Sequence, residues 1–558
     1  MNMKTMSAVA AFAVALSVVA EQPGYLDRWV HVRNDLATDA KLDHFLEVVS
    51  RGAECGFNGI LFDGGIDGEG FDFDGWTGSR RARLEAAKKV CREKSMEIVP
   101  MLWSVGRAHA LVSHDPTLAE GIPVRGVPYR AHGERAVFDG SGAAVRRDVF
   151  GGVQTLDAKG RRHMSAKLDV KPFRRYRVNV KARISGFTDV SGEGAKKVPV
   201  RSSLSIGVSL PKGGSRENFA VRRFADGDVS VTFDFISLDV DSEVLSVGIA
   251  GRATQGTAVI ECADVREIGV RRPVVREGAP FVVRDAATGT AYAEGRDYVA
   301  PPSDASAPRE GDADVAIAIP AGSAIKLGAA LLIDAYEAAR RGDRQVGACM
   351  ANPGLYAFFE KTAPILDELL DHPRKWFLSM DEIRAGGTCE ACAASGMDLA
   401  HALAHCLAKQ RDAIRKVRPD AIIYAWCDMY DPFVNAKPRK GGYVMCKGDY
   451  ASDAFLAPRD IVAVVWGGQD TALKSLRHFA ANGVPTLYAT FYDVHSPEHF
   501  RVRGATETAN QVPGCRGLMY TTWVRGGKYD LLGAFGELMK SNSKPLPMQV
   551  STEHPRRP

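Results

Sequence analysis

Basic runs are missing from this chain of 558 residues, whose net charge is only +5. No lysine- or arginine-rich stretch dominates, which removes the electrostatic footprint of a nucleic-acid binder. Phosphate-cradling glycine loops are missing as well. Gly64-Gly65 and Gly467-Gly468 lack the spacing of a dinucleotide fingerprint or a P-loop. No Gly-x-Ser-x-Gly elbow occurs, so nothing points to a serine hydrolase. Apolar runs long enough to interest a membrane are confined to the N-terminus, where Lys4 precedes an apolar stretch over 8–19 and Val18-Val19-Ala20 supplies small residues. That layout reads as a secretory signal peptide over 1–20, too short for a stable membrane span. The expectation is an exported protein, periplasmic or extracellular, with no integral membrane segment after signal cleavage. Export permits disulfides, yet the ten cysteines are scattered and not spaced as a small disulfide framework.

With 45% hydrophobic and 25% charged residues, the composition is that of a globular protein, and the length calls for two or three domains. Residues 25–135 alternate strand and helix patterns, with apolar strand candidates at 28–32, 59–63 and 97–103. From about 145 to 275 the period changes to two, and short alternating runs are separated by polar turns. A Pro/Asp/Ala-rich stretch at 300–312 then reads as a linker. After residue 320 the strand–helix alternation resumes, with strand candidates at 330–334, 376–380, 421–426, 461–466, 486–490 and 517–522. Nine candidates compete for eight places, and 330–334 is set aside as accessory. The expected fold is an α/β (β/α)₈ TIM barrel interrupted after its third strand by a jelly-roll-like β-sandwich. The boundaries expected are 21–140 for the first barrel part, 141–275 for the insert and 276–325 for a return linker. The second barrel part follows over 326–545, and the tail over 546–558.

The tetrad Ser379-Met380-Asp381-Glu382 closes the apolar run Trp376-Phe377-Leu378. A buried strand ending on two carboxylates delivers them to the end of a barrel where catalytic groups collect. The other strand ends bring Arg33, Asp63, Trp103, Trp426 with Asp428, Trp466, Tyr492-Asp493 and Trp523. Sugars offer apolar CH faces to aromatic rings and hydroxyls to carboxylates, so this mixture suits a glycan. Asp381 and Glu382 are the candidate catalytic pair. Arg33, Asp63, Trp426, Asp428, Tyr492, Asp493 and Trp523 are the candidate substrate-binding residues. No cofactor and no catalytic metal is expected.

The stretch 377–384, FLSMDEIR, resembles the Asp-Glu motif of family 20 glycoside hydrolases, the β-N-acetylhexosaminidases and their relatives. Ile98-Val99-Pro100 through Gly106 to Asp115-Pro116 is similar to that family's third-strand loop. Tyr424-Ala425-Trp426 with Asp428 is similar to its fifth strand, Phe491-Tyr492-Asp493 to its seventh, and 519–523 to its eighth. The insert looks like a carbohydrate-binding module. The resemblance implies an exo-acting hydrolase in which the substrate's own 2-acetamido oxygen attacks the anomeric carbon with retention. Glu382 would be the general acid/base, with its pKa raised, and Asp381 would orient the acetamido nitrogen. Tyr492 would hold the acetamido oxygen, Trp426 and Trp523 would wall the sugar, and Arg33 would contact hydroxyls. The chain departs from the family pattern at Ser379-Met380, at Val524 and in the third-strand loop, where Met101-Leu102-Trp103 and Arg107 replace an acid and a histidine.

Two other readings stand beside it. One keeps Glu382 as acid/base and uses Asp493 or Asp428 as nucleophile or base on a non-acetamido sugar. Carboxylates about 5.5 Å apart would then mean retention and about 6.5–9.5 Å inversion. The other is a glycan-binding protein whose barrel has lost catalysis. Separately, Cys389 and Cys392, followed by His401, His405 and Cys406, form a possible structural zinc set or disulfide, although the Cys392–His401 gap is shorter than finger spacing.

Overall fold

The computed structural model describes residues 24–64, 73–143, 145–189, 204–209, 215–221, 226–249, 253–306, 312–341, 345–436, 445–452, 454–492, 498–523 and 526–542. The expected signal peptide, the tail over 546–558 and Asp493 lie outside them. Eight parallel strands close into a barrel: Asp27–Arg33, Gly59–Asp63, Glu97–Leu102, Lys375–Leu378, Ile422–Trp426, Val462–Trp466, Thr486–Phe491 and Cys515–Thr521. The last pairs with the first, Trp29 opposite Met519, so no edge is left open. Amphipathic helices, among them Asp39–Glu54 and Leu399–Val417, lie between these strands. Leu399, Leu403, Cys406, Leu407, Gln410 and Ile414 recur at three- and four-residue spacing and are among the residues the latter helix buries.

Side chains alternate between two apolar layers. Leu61, Val99, Phe377, Val464, Leu487 and Met519 fill the lumen. Their strand neighbours Ile60, Leu378, Val465, Tyr488 and Leu518 meet the helices. The lumen's N-terminal end is closed by ion pairs. Asp27 accepts from the Tyr424 hydroxyl at 2.8 Å and from Arg516 Nε at 2.7 Å. Lys375 Nζ lies 2.9 Å from Asp27 and 2.6 Å from Glu97.

Between the third and fourth barrel strands the described residues build three larger antiparallel sheets and a two-stranded one. One has the order Ser215–Val221, Leu204–Ser209, Ser242–Ile249, His163–Asp169. A second runs Gly227–Ile236, Arg175–Asp189, Ala253–Ile268, Val145–Arg146, with Gln154–Asp157 paired to the long strand Ala253–Ile268. Ile206, Leu245 and Val247 of the first share one apolar core with Val178, Val180 and Ile260 of the second. The third sheet, Val282–Asp285, Ala330–Ala338, Gly121–His132, Arg135–Phe138, Ile317–Ala318, has its own core. It receives the ninth strand candidate. It also draws two strands from 276–325, the stretch expected to be connecting chain. Arg175 joins the second sheet to the third through Glu337 at 2.5 Å. Among the described residues no helix is long and apolar enough to cross a membrane.

Candidate active site

The alternation within each strand decides which side chains reach the barrel mouth. In the first strand Trp29, His31 and Arg33 share a phase, and in the second Leu61 and Asp63 do. Asp381 and Asp428 continue the lumen phase of the fourth and fifth strands, Trp523 that of the eighth. Phe491, and not Tyr492, continues that of the seventh. Tyr492 instead stacks on Tyr520 at 4.3 Å and edge-on to Phe535, within the layer between barrel and helices. The expected acetamido contact from Tyr492 is therefore corrected: an odd number of residues after Leu487 puts it on the wrong face.

The two aromatic walls differ. Trp426 is 3% exposed and packs edge-on to Phe377, so it underlies the mouth. Trp523 rests on it at 5.8 Å and is half-buried. Trp466, 38% exposed, and half-buried Phe491 meet edge to face at 6.0 Å at the ends of the sixth and seventh strands. The rings open to a ligand are thus Trp466, Phe491 and Trp523. Arg33 donates to the Trp523 carbonyl at 2.7 Å and lies 3.4 Å from buried Asp63. Buried His31 lies under Trp523 at 4.7 Å, and burial together with the charge of Arg33 pushes its pKa down to about 3. It is neutral in the working range.

The carboxylates sit on a tightly specified loop. Glu382 adopts a left-handed φ of 45°, and Gly106 of the third-strand loop passes so close that any Cβ there would run into the Asp381 carbonyl oxygen. Gln345 ties the two together, donating to the carbonyls of Gly106 at 3.0 Å and Glu382 at 2.7 Å. The Ser379 hydroxyl donates to Asp381 Oδ1 at 2.8 Å. Arg107 Nη2 reaches Glu382 Oε2 at 2.5 Å, with its Nε 3.8 Å from Asp381. Arg384 Nη2 reaches Glu382 Oε1 at 2.8 Å and its Nε reaches Gln345 at 3.1 Å. Asp428 Oδ2 accepts from the Glu382 backbone N–H at 3.2 Å and from Asn435 at 2.6 Å, while its Oδ1 is buried without a partner.

These contacts sort the acids. Burial, reinforced by the charge of Asp381, pushes the Asp428 pKa up to about 8. Burial also raises Asp381, against the pull of Arg107. Burial would raise Glu382 too, but Arg384 and Arg107 outweigh it and hold that carboxyl below its usual range. The raised pKa expected at Glu382 is thus corrected: two guanidiniums hold that carboxyl down, and burial raises Asp428 instead, which favours a proton there. With Oδ2 occupied by two N–H donors, the free Oδ1 is the atom to carry it. Sequence reasoning left Arg107, Arg384, Gln345 and Asn435 without roles. The only local signal was Arg384 inside the FLSMDEIR stretch and Arg107 in place of an expected acid or histidine.

The candidate zinc set is also redrawn. His401 is exposed and pairs with Asp398 at 2.8 Å, and His405 packs edge-on to Tyr356. Cys406 is buried beside Gln410. Cys389 and Cys392 instead meet Cys349 and Glu120.

No family model matches the chain, and no curated protein matches it. Among solved structures, an arabinose-bound α-L-arabinofuranosidase of glycoside hydrolase family 51 matches at 10% identity, covering 73% of this chain and 72% of its own, with a TM-score of 0.19. A family 61 carbohydrate-binding module in complex with β-1,4-galactotriose matches at 14% identity over 23% of this chain and 89% of its own, with a TM-score of 0.15. A family 36 module in complex with calcium and xylotriose matches at 10% identity over 25% of this chain and 98% of its own, with a TM-score of 0.14. Likeness this slight carries no functional argument, so function must be read from the side chains.

Proposed function

We propose that this protein is an exported glycoside hydrolase that binds a sugar at the barrel mouth. Asp428 protonates the departing glycosidic oxygen, and Asp381 faces the positive charge that develops on the ring. The observation that carries this reading is buried Asp428, its Oδ1 without a partner, beside Asp381 and the arginine-clamped Glu382, within a mouth bordered by Trp466, Phe491 and Trp523. Neighbouring carboxyls whose environments push their pKa values apart make an acid and a base. Glu382, clamped by Arg107 and Arg384, orients hydroxyls or the loop itself. Arg33 and Asp63 supply further hydroxyl contacts, and Asp493 remains a candidate for the same task. The two sheets sharing a core over 145–268 are read as a β-sandwich of the carbohydrate-binding kind, inserted in the barrel.

A finer reading is supported by the consecutive Asp381-Glu382 pair and its resemblance to family 20: the substrates are 2-acetamido sugars, released exo-wise by substrate-assisted retention. Asp381 then orients the acetamido group instead of attacking. The test is turnover of aryl β-GlcNAc, β-GalNAc and non-acetamido glycosides by wild type, Asp428→Asn and Glu382→Gln. Hydrolysis lost in Asp428→Asn and surviving in Glu382→Gln supports the assigned proton donor. The reverse pattern returns that role to Glu382. Turnover confined to acetamido sugars supports substrate assistance, and activity on other sugars makes Asp381 the protein nucleophile. Binding of sugars without any turnover overturns the hydrolase reading in favour of a glycan-binding protein.

A further inference from the structure

Ten cysteines are all unpaired, and three of them converge where none of the site's chemistry needs a thiol. Cys349 Sγ lies 3.6 Å from Cys389 Sγ and 3.6 Å from Cys392 Sγ, and the last two lie 3.5 Å apart. Glu120 completes the group, its Oε2 3.4 Å from Cys392 Sγ. Cys349, Cys389 and Glu120 are buried, and Cys392 is half-buried. A tetrahedral zinc ion with Zn–S near 2.3 Å and Zn–O near 2.0 Å spaces its ligand atoms about 3.5–3.8 Å apart. The cluster has that size already.

The surroundings are those of a metal site. Glu120 Oε1 takes donors from the Thr388 backbone at 3.0 Å, the Thr388 hydroxyl at 2.7 Å and the Cys389 backbone at 3.2 Å. That fixes the carboxylate's orientation and turns Oε2 toward the thiols, as outer partners do for a ligating group. Arg276 places Nη2 3.6 Å from Cys389 Sγ. Three thiolates and a carboxylate around a dication leave two negative charges, and the guanidinium offsets one. A fully buried carboxylate facing three thiols is costly without a cation to share.

We infer that Glu120, Cys349, Cys389 and Cys392 bind a structural zinc ion as a closed Cys₃Glu site. Four protein ligands leave no open position for a substrate, so the ion is structural and not catalytic. Its position gives the role. Glu120 is the last residue before the chain leaves for the three sheets, and Cys349 lies where it comes back. Cys389 and Cys392, at the short helix Glu390–Ala394, belong to the same connection after the fourth strand that carries Asp381, Glu382 and Arg384. The ion cross-links the root of the long excursion to that loop. This inference is independent of the glycosidase reading, because metal content needs no turnover.

The test uses the full exported chain, prepared in zinc-supplemented medium, with metal content and thiols measured on the same sample. Stoichiometric zinc, removed by chelator with a fall in Tm, is expected, because binding free energy at such a site is folding free energy. Cobalt(II) put in its place should give the intense visible bands of tetrahedral thiolate coordination. Cys392→Ser should reduce bound metal at least about tenfold and Glu120→Gln should shift the cobalt bands. Cys392 is the least buried ligand, so its replacement perturbs packing least. Zinc-free protein with no cobalt spectrum, or a disulfide consuming two of the three thiols, would overturn the inference. The wild-type cobalt spectrum decides the matter even where a variant fails to fold.

Discussion

Both ends of the barrel bury acids, and they treat them in opposite ways. At the floor, Asp27 is met by Tyr424, Arg516 and Lys375, each within 3 Å, so its charge is matched by cations and a hydroxyl. At the mouth, Asp428 meets Asp381 and Glu382 of the preceding strand's loop and has one oxygen with no partner. The floor's acid is paired with cations and the mouth's acid is not, although one barrel carries both. Charge balance at the bottom ties the strands together, and imbalance at the top raises the Asp428 pKa.

The comparison can be broken most sharply at Asp428. Its replacement by Asn should lower kcat about 10²–10⁴-fold, the range of a lost general acid. The same residue sets a pH signature. Because its folded pKa of about 8 lies above the unfolded value, its protonated form contributes stability below about pH 4 that is lost as pH rises through 8. Wild-type Tm should therefore fall relative to Asp428→Asn between pH 5 and pH 9, and kcat/KM should drop as the proton leaves above about pH 8. A Tm gap that is flat with pH would show that Asp428 is ionised throughout. At the floor, Asp27→Asn should instead destabilise by about 3 kcal/mol, the scale of breaking a buried ion pair, and leave kcat per folded molecule unchanged. Chemical denaturation paired with active-site titration separates the two effects. Arg384→Ala releases one oxygen of Glu382, and kcat/KM should fall about 10-fold, matching the loss of one charged hydrogen bond. Smallest of all, Trp466→Ala should raise KM about fivefold at constant kcat, the scale of a ring contact near 1 kcal/mol.

The eight barrel strands were legible as apolar runs, since burial on both faces leaves a continuous signal. Gly121–His132 was not, because Pro123, Gly126 and Pro128 mask its strand character and its partner Ala330–Ala338 lies two hundred residues on. In the site, Asp381, Glu382, Asp428 and Trp523 were found because they sit directly on strand ends. Phe491 was readable too: counting by twos from Leu487 selects it over Tyr492. The clamp on Glu382 was not readable, since Arg107 and Gln345 arrive from distant loops and the positive φ of Glu382 follows from their approach. A pKa inherits that blindness, being a property of neighbours and not of the residue named.

The stem of the excursion has its own consequence. Glu120 donates its backbone N–H to Gly347 at 2.8 Å and Cys349 donates to Leu118 at 2.9 Å, so departing and returning chains run side by side. Such a root accepts grafts: whatever is spliced between its two limbs starts and finishes at one place and need not disturb the strands beneath. Yet Gln345, on the returning limb, grips the Glu382 carbonyl. The outer sheets are the cargo of this root, while the last few residues before the barrel resumes are part of the candidate site. An engineer swapping the cargo would draw the border outside the hairpin of Arg340–Arg341 and Gln345–Val346.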